Sequence, residues 1–329
     1  MQRNEEKSRR YDEKGRKTGK TFDILTSMDA TLRRDLYNTT GGIGSMNDTY
    51  GNTYVIDIEN GAETARLMEQ DRIITQHMGQ LLPTEVTEDQ QVLDVACGPG
   101  GWALQVAFAH PEIEIMGIDL NKKMIDYARA QARVQGLNNV SFAVMDVTKA
   151  LELEDASFDV VNARFLNGFL LQETWPGAIH EMVRVLRPGG LVRLTECDSL
   201  GVTNSPAFEQ MLRLLHQAWE RDTLGRVSGI TPLLGKFLQQ EECQHIHEQA
   251  YVLNFSVPWG DNEDQAQRHL AIYNNLRVAF SLLQPYLLSL HVATNETLSS
   301  LYGRILIEMM MKEFRGLWYY TSVVGQKPI

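Results

Sequence analysis

From residue 91 to residue 196 the apolar pattern switches repeatedly between two periods, and this alternation constrains the chain more than any other feature. Short apolar, β-type runs lie at 91–96, 112–118, 140–145, 158–163 and 191–196. Helical stretches separate them at 101–110, 122–135 and 174–186, stopped by Pro111, Gly136 and the turn Arg187-Pro188-Gly189-Gly190. Strands that alternate with helices need crossover connections, and crossovers give a parallel sheet covered on both faces. The spacing therefore predicts a doubly wound α/β fold.

The flanks read differently. Residues 1–20 carry eight basic and four acidic side chains with almost no apolar ones, the composition of a solvated arm. The patch TTGGIGSMNDTYGNT within 21–52 reads as loop, and 63–78 has helical spacing with Leu67, Ile74 and Met78 on one face. Beyond 200, helices are predicted at 205–222, 232–240, 265–290 (interrupted by Pro285) and 296–314, with strands at 245–255 and 317–324. The sheet is thus expected to hold seven strands, mostly parallel. About 60 residues of helix would separate the last two, and insertions of that size usually form a lid or a binding element.

Composition limits the classes of function. Lys plus Arg is 31 against 42 for Asp plus Glu, a net charge of −11. That field disfavours phosphate backbones and anionic membranes, so neither nucleic acid nor membrane is an expected partner. No apolar run approaches the ~20 residues of a membrane helix, and no apolar signal core opens the chain. The three cysteines, Cys97, Cys197 and Cys243, fit no metal spacing and suit a reducing, cytoplasmic setting. His245 and His247 alternate on one strand face without the acids or cysteines that complete a ligand set, so no metal is expected.

Chemistry concentrates around Gly98-Pro99-Gly100-Gly101, which joins the first strand to the first crossover helix. Glycines there let backbone approach a ligand, and a helix start offers N–H groups. Gly98 to Ala103 also fits the dinucleotide pattern G-x-G-x-x-A, so a nicotinamide oxidoreductase is a serious rival. Three acids bear on the choice. Asp94 lies inside the strand, where a pyrophosphate ligand gives no reason for a carboxylate. Asp119 ends the second strand and can accept both hydroxyls of a ribose, for either ligand. Asp146, between Met145 and Val147, ends the third strand and can accept from an adenine amino group between apolar neighbours.

In the order VLDVACGPGG, GIDLNKKMIDYAR, VSFAVMDV, FDVVNARFL and VLRPGGLVRLTE, the sequence resembles the class I S-adenosylmethionine-dependent methyltransferases, in the small-molecule branch near the ubiquinone and menaquinone enzymes. The resemblance covers about residues 60–200 and implies the Rossmann-like methyltransferase fold with helical insertions over the site. It implies S-adenosyl-L-methionine as cofactor. Gly98 and Gly100, with Ala96 in the same loop, would pass its methionine part, and Asp94 would serve its amine end. Asp119 would take the ribose hydroxyls, Leu120 and Met124 the adenine face, and Asp146 and Val147 the adenine edge. Asn162, Arg164 and Phe165 would lie beside the sulfonium. Tyr54, Arg66 and Gln70 are candidates from the segment before the first strand, and Arg66 could pair with the cofactor carboxylate; a surface arginine on an amphipathic helix is the plainer reading. The implied division is a charged arm (1–20), a cofactor-closing segment (21–90), a cofactor-binding core (91–200) and lid helices with the last two strands (201–329).

The proton acceptor is less defined. Glu196 and Asp198 follow the fifth strand at the end where such sheets bind ligands, and Glu196 is the candidate general base; a strand-end acid bonded to backbone is its structural alternative. Trp175, Trp259, Tyr273, Phe280 and Tyr286 could wall a flat, apolar acceptor or simply pack helices. Asn162, Arg164 and Asn167 offer polar handles. The expected activity is methylation of a small apolar or aromatic metabolite at O, N or C. A non-catalytic binder of the same cofactor is the third alternative, and long exposed helices make a homodimer a candidate assembly.

Overall fold

The computed structural model describes residues 53–57, 60–85 and 87–329. The expectations for the arm 1–20 and for the glycine-rich patch up to residue 52 lie outside them.

Helix α1 (Gly61–Met78) starts where Asn60 accepts the Ala62 N–H and stops at Gly79, whose φ of 72° is left-handed. Then come β1 (Gln91–Val95), α2 (Gly101–Ala109), β2 (Glu114–Asp119), α3 (Lys122–Gln135), β3 (Val140–Val144), β4 (Phe158–Arg164), α4 (Trp175–Val185) and β5 (Leu186–Glu196). Strands β1 to β5 are parallel in the order β3-β2-β1-β4-β5. Helix α3 illustrates how local sequence fixes an element. Asn121 caps its start, Gly136 ends it at φ 68°, and Met124, Ile125, Ala128 and Ala132 make the buried stripe.

The rest of the chain closes the sheet from the other edge. It comprises β6 (Val202–Thr203), α5 (Pro206–Arg221), α6 (Leu234–Gln240), β7 (Gln244–Asn254), α7 (Glu263–Leu282), α8 (Gln284–Ser289), α9 (Asn295–Met309) and β8 (Gly316–Gln326). β8 runs antiparallel between β5 and β7. The two-residue β6 pairs with the start of β8, giving eight strands instead of the seven expected. Two residues are too few to leave a period in the sequence.

A second difference concerns Arg187-Pro188-Gly189-Gly190. The segment does not end a helix as a free turn but lies inside β5 as a bulge, between the pairs Phe158↔Leu186 and Val160↔Leu191. Gly189 supplies φ 81°, and its N–H reaches the Lys327 carbonyl while Lys327 N–H returns to Gly190. The Lys327 ammonium also donates to the carbonyls of Val183, Arg184 and Leu186. Lys327, just past the last strand, therefore ties the bulge into the sheet.

Three apolar cores result. One, with Trp102, Val106, Ile125 and Phe142, lies between the sheet and α2 and α3. Another, with Trp175, Met182 and Leu234, joins the sheet to α4 and α6. The third binds α1, α5 and α7–α9 to the outer strands through Phe208, Phe280, Trp318 and Tyr320. Of the aromatics that could wall an acceptor or pack helices, two are core residues: Phe280 meets Phe208 edge-on at 5.1 Å, and Trp175 stacks on Phe237 at 6.0 Å. Trp259 is 81% exposed, with the Arg315 guanidinium 3.5 Å from its ring centre.

Candidate active site

The strand order reverses between β1 and β4, and in open α/β sheets ligands bind past the carboxyl ends of the strands at such a point. The loops that leave β1 and β4 there are sharply curved. Ala96, Gly98 and Gly100 have φ of 55°, 53° and 82°, and Phe165 has φ 58°. Only Gly fits at 100: a Cβ would stand 2.9 Å from both the Ala128 Cβ and the Phe142 ring. A Cβ on Gly101 would lie 2.5 Å from the Asp71 carboxylate. The loop thus passes with bare backbone between α3 and α1, the cradle an adenosyl amino acid would need.

Asp119, at the end of β2, holds this loop. Its Oδ2 accepts the Gly98 N–H at 2.9 Å and its Oδ1 the Asn121 N–H at 2.8 Å. The α3 cap is Asn121 itself, which accepts the Met124 N–H, so Asp119 is not spent on capping. Burial pushes the Asp119 carboxyl up, and the two N–H bonds oppose that shift. Leu120 is exposed beside it while Met124 is buried. Asp146 accepts from the Thr148 N–H and hydroxyl and pairs with Lys149 at 3.0 Å, and Val147 is buried next to it. The acids and apolar neighbours thus lie together past the carboxyl ends of the neighbouring parallel strands β2 and β3.

Asp94, Asn162 and Arg193 are register partners on β1, β4 and β5. Asn162 Nδ2 donates to Asp94 Oδ1 at 2.8 Å, and Arg193 Nε donates to Asn162 Oδ1 at 2.8 Å. Burial raises the Asp94 carboxyl to about 7. Burial, aided by the nearby Arg164 charge, lowers the Arg193 guanidinium to about 9. Both arginines approach the Trp102 ring, Arg193 at 5.4 Å and Arg164 at 5.9 Å from its centre. Asn162 is thus an interior link across three strands. Arg164 is committed to α1, donating to Asp71 at 2.6 Å and to Thr75 at 3.0 Å. Phe165 packs on the core of the outer helices and stacks on Trp318 at 6.1 Å.

Tyr54, Arg66 and Gln70 do come together, in a buried network that the sequence reading did not foresee. Arg66 makes five hydrogen bonds, to both Glu63 oxygens (2.6 and 2.7 Å), Gln70 Oε1 (2.7 Å), Asn275 Oδ1 (3.2 Å) and the Tyr54 hydroxyl (3.4 Å). Tyr54 itself donates to Glu63 Oε1 at 2.8 Å. With all five donors engaged, Arg66 has no N–H left for a cofactor carboxylate, and it is not a surface residue either. Both expectations for Arg66 yield to a structural one: it locks α1 to α7 through Asn275, whose Nδ2 returns to the Arg66 carbonyl at 2.9 Å.

Glu196 is buried at the end of β5. Its Oε1 accepts the Leu166 N–H at 2.5 Å, and its Oε2 lies 3.5 Å from the Asn167 N–H. Burial raises its carboxyl to about 8. Asp198 is exposed and caps residue Thr231, accepting from its N–H at 3.2 Å and from its hydroxyl. His245 and His247 are exposed at the irregular start of β7. Among the described residues, no three His, Cys, Asp or Glu side chains form a metal-sized group.

Asp71, Glu63, Asn275 and Arg193 are the participants missed. Two left a trace: Glu63, Arg66 and Gln70 repeat at i, i+3 and i+7, a polar stripe on one helix face, and Arg193 is a lone charge in the apolar run LVRLTE.

Residues 92–190 match a family described as a methyltransferase domain. A demethylmenaquinone methyltransferase of Deinococcus radiodurans is 38% identical over 107 residues, 32% of this chain and 43% of that protein. One from Staphylococcus aureus is 28% identical over 194 residues, 59% of this chain and 71% of that protein. Among solved structures, phosphoethanolamine N-methyltransferase 2 of Haemonchus contortus aligns with 82% of this chain and 57% of its own at 16% identity and a TM-score of 0.49. Residues 92–190 of the chain thus carry a methyltransferase domain. Its sequence relatives methylate a demethylated menaquinone by name, and the first of them is matched over less than half its length.

Proposed function

We propose that this chain transfers a methyl group from S-adenosylmethionine to a small, largely apolar metabolite. One observation carries the choice of acceptor. The core of the helical cap formed by α1, α5 and α7–α9 reaches Tyr54, Phe165, Cys197 and Leu200, and three of these directly follow β4 and β5. An acceptor bound past those strand ends would therefore meet apolar and aromatic side chains, which suits a compact organic molecule better than a polymer. The names of the relatives make a demethylated quinone, in its reduced diol form, the first acceptor to test.

In this reading Gly98, Gly100 and Ala96 hold the amino-acid part of the cofactor, Asp119 its ribose, and Leu120, Met124, Asp146 and Val147 its adenine. When bound, the cofactor supplies an electrophilic methyl on a sulfonium sulfur. The protein's part is to hold the acceptor in line at about 3–3.5 Å and to exclude water. Glu196 holds the loop after β4, and its raised carboxyl is a secondary candidate for taking the acceptor's proton. The division into a cofactor core (91–200) and a covering region (201–329), a homodimer, a cytoplasmic setting and the absence of nucleic-acid substrates belong to the same proposal. The charge of −11 supports the last.

Calorimetry decides the first step. S-adenosylhomocysteine should bind at micromolar concentration and NADH should not. Binding of NADH alone would favour the oxidoreductase. Binding of S-adenosylhomocysteine without methyl transfer to any of a panel of phenols, amines and enols would favour a non-catalytic binder.

A further inference from the structure

The short loop after β4, Leu166–Gly168, is held on every side. Glu196 takes its N–H groups from β5, and Phe165 ahead of it stacks on Trp318 of β8. A Cβ on Gly168 would stand 3.0 Å from the Tyr54 ring, so the segment before α1 lies against it. The Gly168 carbonyl accepts from Arg226 at 3.3 Å, and Arg226 is in turn fixed by Asp222 at 2.7 Å. Amid these contacts stands the Asn167 side chain. It is 4% exposed, and among the described residues neither its amide nitrogen nor its amide oxygen has a hydrogen-bond partner.

A buried primary amide with both ends unmet destabilises the fold, and native proteins retain such groups where something else satisfies them. The loop around it is too well fixed for this to be a loose side chain. Its position, past β4 and beside the strand reversal, is where an acceptor would face the cofactor. An amide offers one acceptor oxygen and two N–H donors in one plane, which matches a hydroxyl that donates and accepts at once. Arg226, the cation that reaches the Gly168 carbonyl, is already paired with Asp222 and so offers an anionic acceptor no free charge.

We propose that Asn167 orients the acceptor by hydrogen bonding to a hydroxyl of an uncharged, planar phenol or enol diol. This rests on the methyltransferase reading and narrows its substrate class.

The test uses the full chain with 1,4-dihydroxynaphthalene as probe. In the absence of ligands, Asn167→Leu should melt several degrees higher than the wild type, because an unmet polar group is replaced by an apolar one of similar size. Its affinity for S-adenosylhomocysteine should stay within twofold, while affinity of that complex for the diol should fall at least tenfold. Asn167→Ala, which removes the amide without filling its space, should lose the diol equally and keep the cofactor product. A melting point for Asn167→Leu below the wild type would make Asn167 an ordinary satisfied core residue and overturn the proposal. So would diol affinity retained in either variant, or no diol binding by the wild-type complex. If S-adenosylhomocysteine fails to bind the wild type, the methyltransferase reading itself falls, and the melting comparison still decides whether the Asn167 amide is unmet.

Discussion

Asp94 is bound to Asn162, its register partner on the neighbouring strand, by a 2.8 Å hydrogen bond from Asn162 Nδ2 to Asp94 Oδ1. Among the described residues the carboxylate has no direct cationic partner, since Arg193 reaches it through Asn162 and Arg164 acts only by its charge, and burial holds its carboxyl at about 7. The folded protein therefore binds a proton there that the unfolded chain releases near pH 4. Its contribution to stability is complete below about pH 4 and is lost as pH rises through about 7. Asp94→Asn keeps an oxygen for Asn162 and cannot ionise. Its stability relative to wild type should therefore increase between pH 4 and pH 8, by about 4 kcal/mol at ~1.36 kcal/mol per pK unit. Urea unfolding at intervals of one pH unit measures the difference. A difference that stays flat across that range would mean Asp94 is ionised as freely in the folded state as in the unfolded.

Two glycines with the same backbone strain separate conformation from packing. Gly100 and Gly136 have φ of 82° and 68°, yet a Cβ at 136 meets nothing within 4 Å, while one at 100 meets Ala128 and Phe142 at 2.9 Å. Gly136→Ala should cost about 1 kcal/mol, the usual penalty of a left-handed residue. Gly100→Ala adds overpacking in the α2–α3 core and should cost about 3–4 kcal/mol in all. It should also weaken S-adenosylhomocysteine at least tenfold, because the loop must move. Equal losses for the two variants would show that the cradle has room to spare.

What the sequence disclosed and what it withheld divide along the distance between partners. The parallel direction follows from the strand–helix alternation, and Asp94, Asp119 and Asp146 lie on or just past successive strands, so local spacing alone put them with the glycine turn toward one end of the sheet. Arg66 illustrates the opposite case. Its role depends on Asn275, 209 residues later, and no local pattern distinguishes a buried arginine from a solvated one on the same helix. The Pro188-Gly189-Gly190 segment read as a turn because its chemistry is that of a turn; Lys327, 137 residues or more downstream, makes it a bulge. That the Asn167 amide has no hydrogen-bond partner among the described residues is invisible to any sequence pattern, since it consists of contacts not made.

The Arg66–Glu63 pair should behave as a buried ion pair does. Glu63 is fully buried and Arg66 nearly so, and their Nε–Oε2 separation is 2.6 Å. Removing one partner leaves a stranded charge, so Arg66→Met should cost about 3–5 kcal/mol. Glu63→Gln combined with Arg66→Met should cost less than the two single losses together, with a coupling of about 2 kcal/mol. Asn275→Ala, which cuts only the tie to α7, should cost about 1 kcal/mol and loosen amide protection in α7 selectively. Urea unfolding and hydrogen exchange read these effects. Additive losses in the double variant would mean that Arg66 and Glu63 act independently.

Glu196 presents two roles that a single atom separates. As a clamp it needs an oxygen to accept the Leu166 N–H at 2.5 Å; as a base it needs to take a proton, which burial has shifted to about 8. Glu196→Gln retains the accepting oxygen and cannot exchange a proton, whereas Glu196→Ala leaves two buried N–H groups without a partner. The clamp role predicts that Gln keeps methyl transfer within threefold at pH 7 and pH 9. Ala should lose about 2–3 kcal/mol of stability, at ~1–3 kcal/mol per unmet group, and raise KM for the acceptor as the loop relaxes. A base would reverse this order, with Gln losing kcat a hundredfold or more and the limb of the pH profile near 8 disappearing. The short bond to Leu166 favours the clamp, because a carboxylate turned toward its own backbone must give up that bond before it can serve an acceptor.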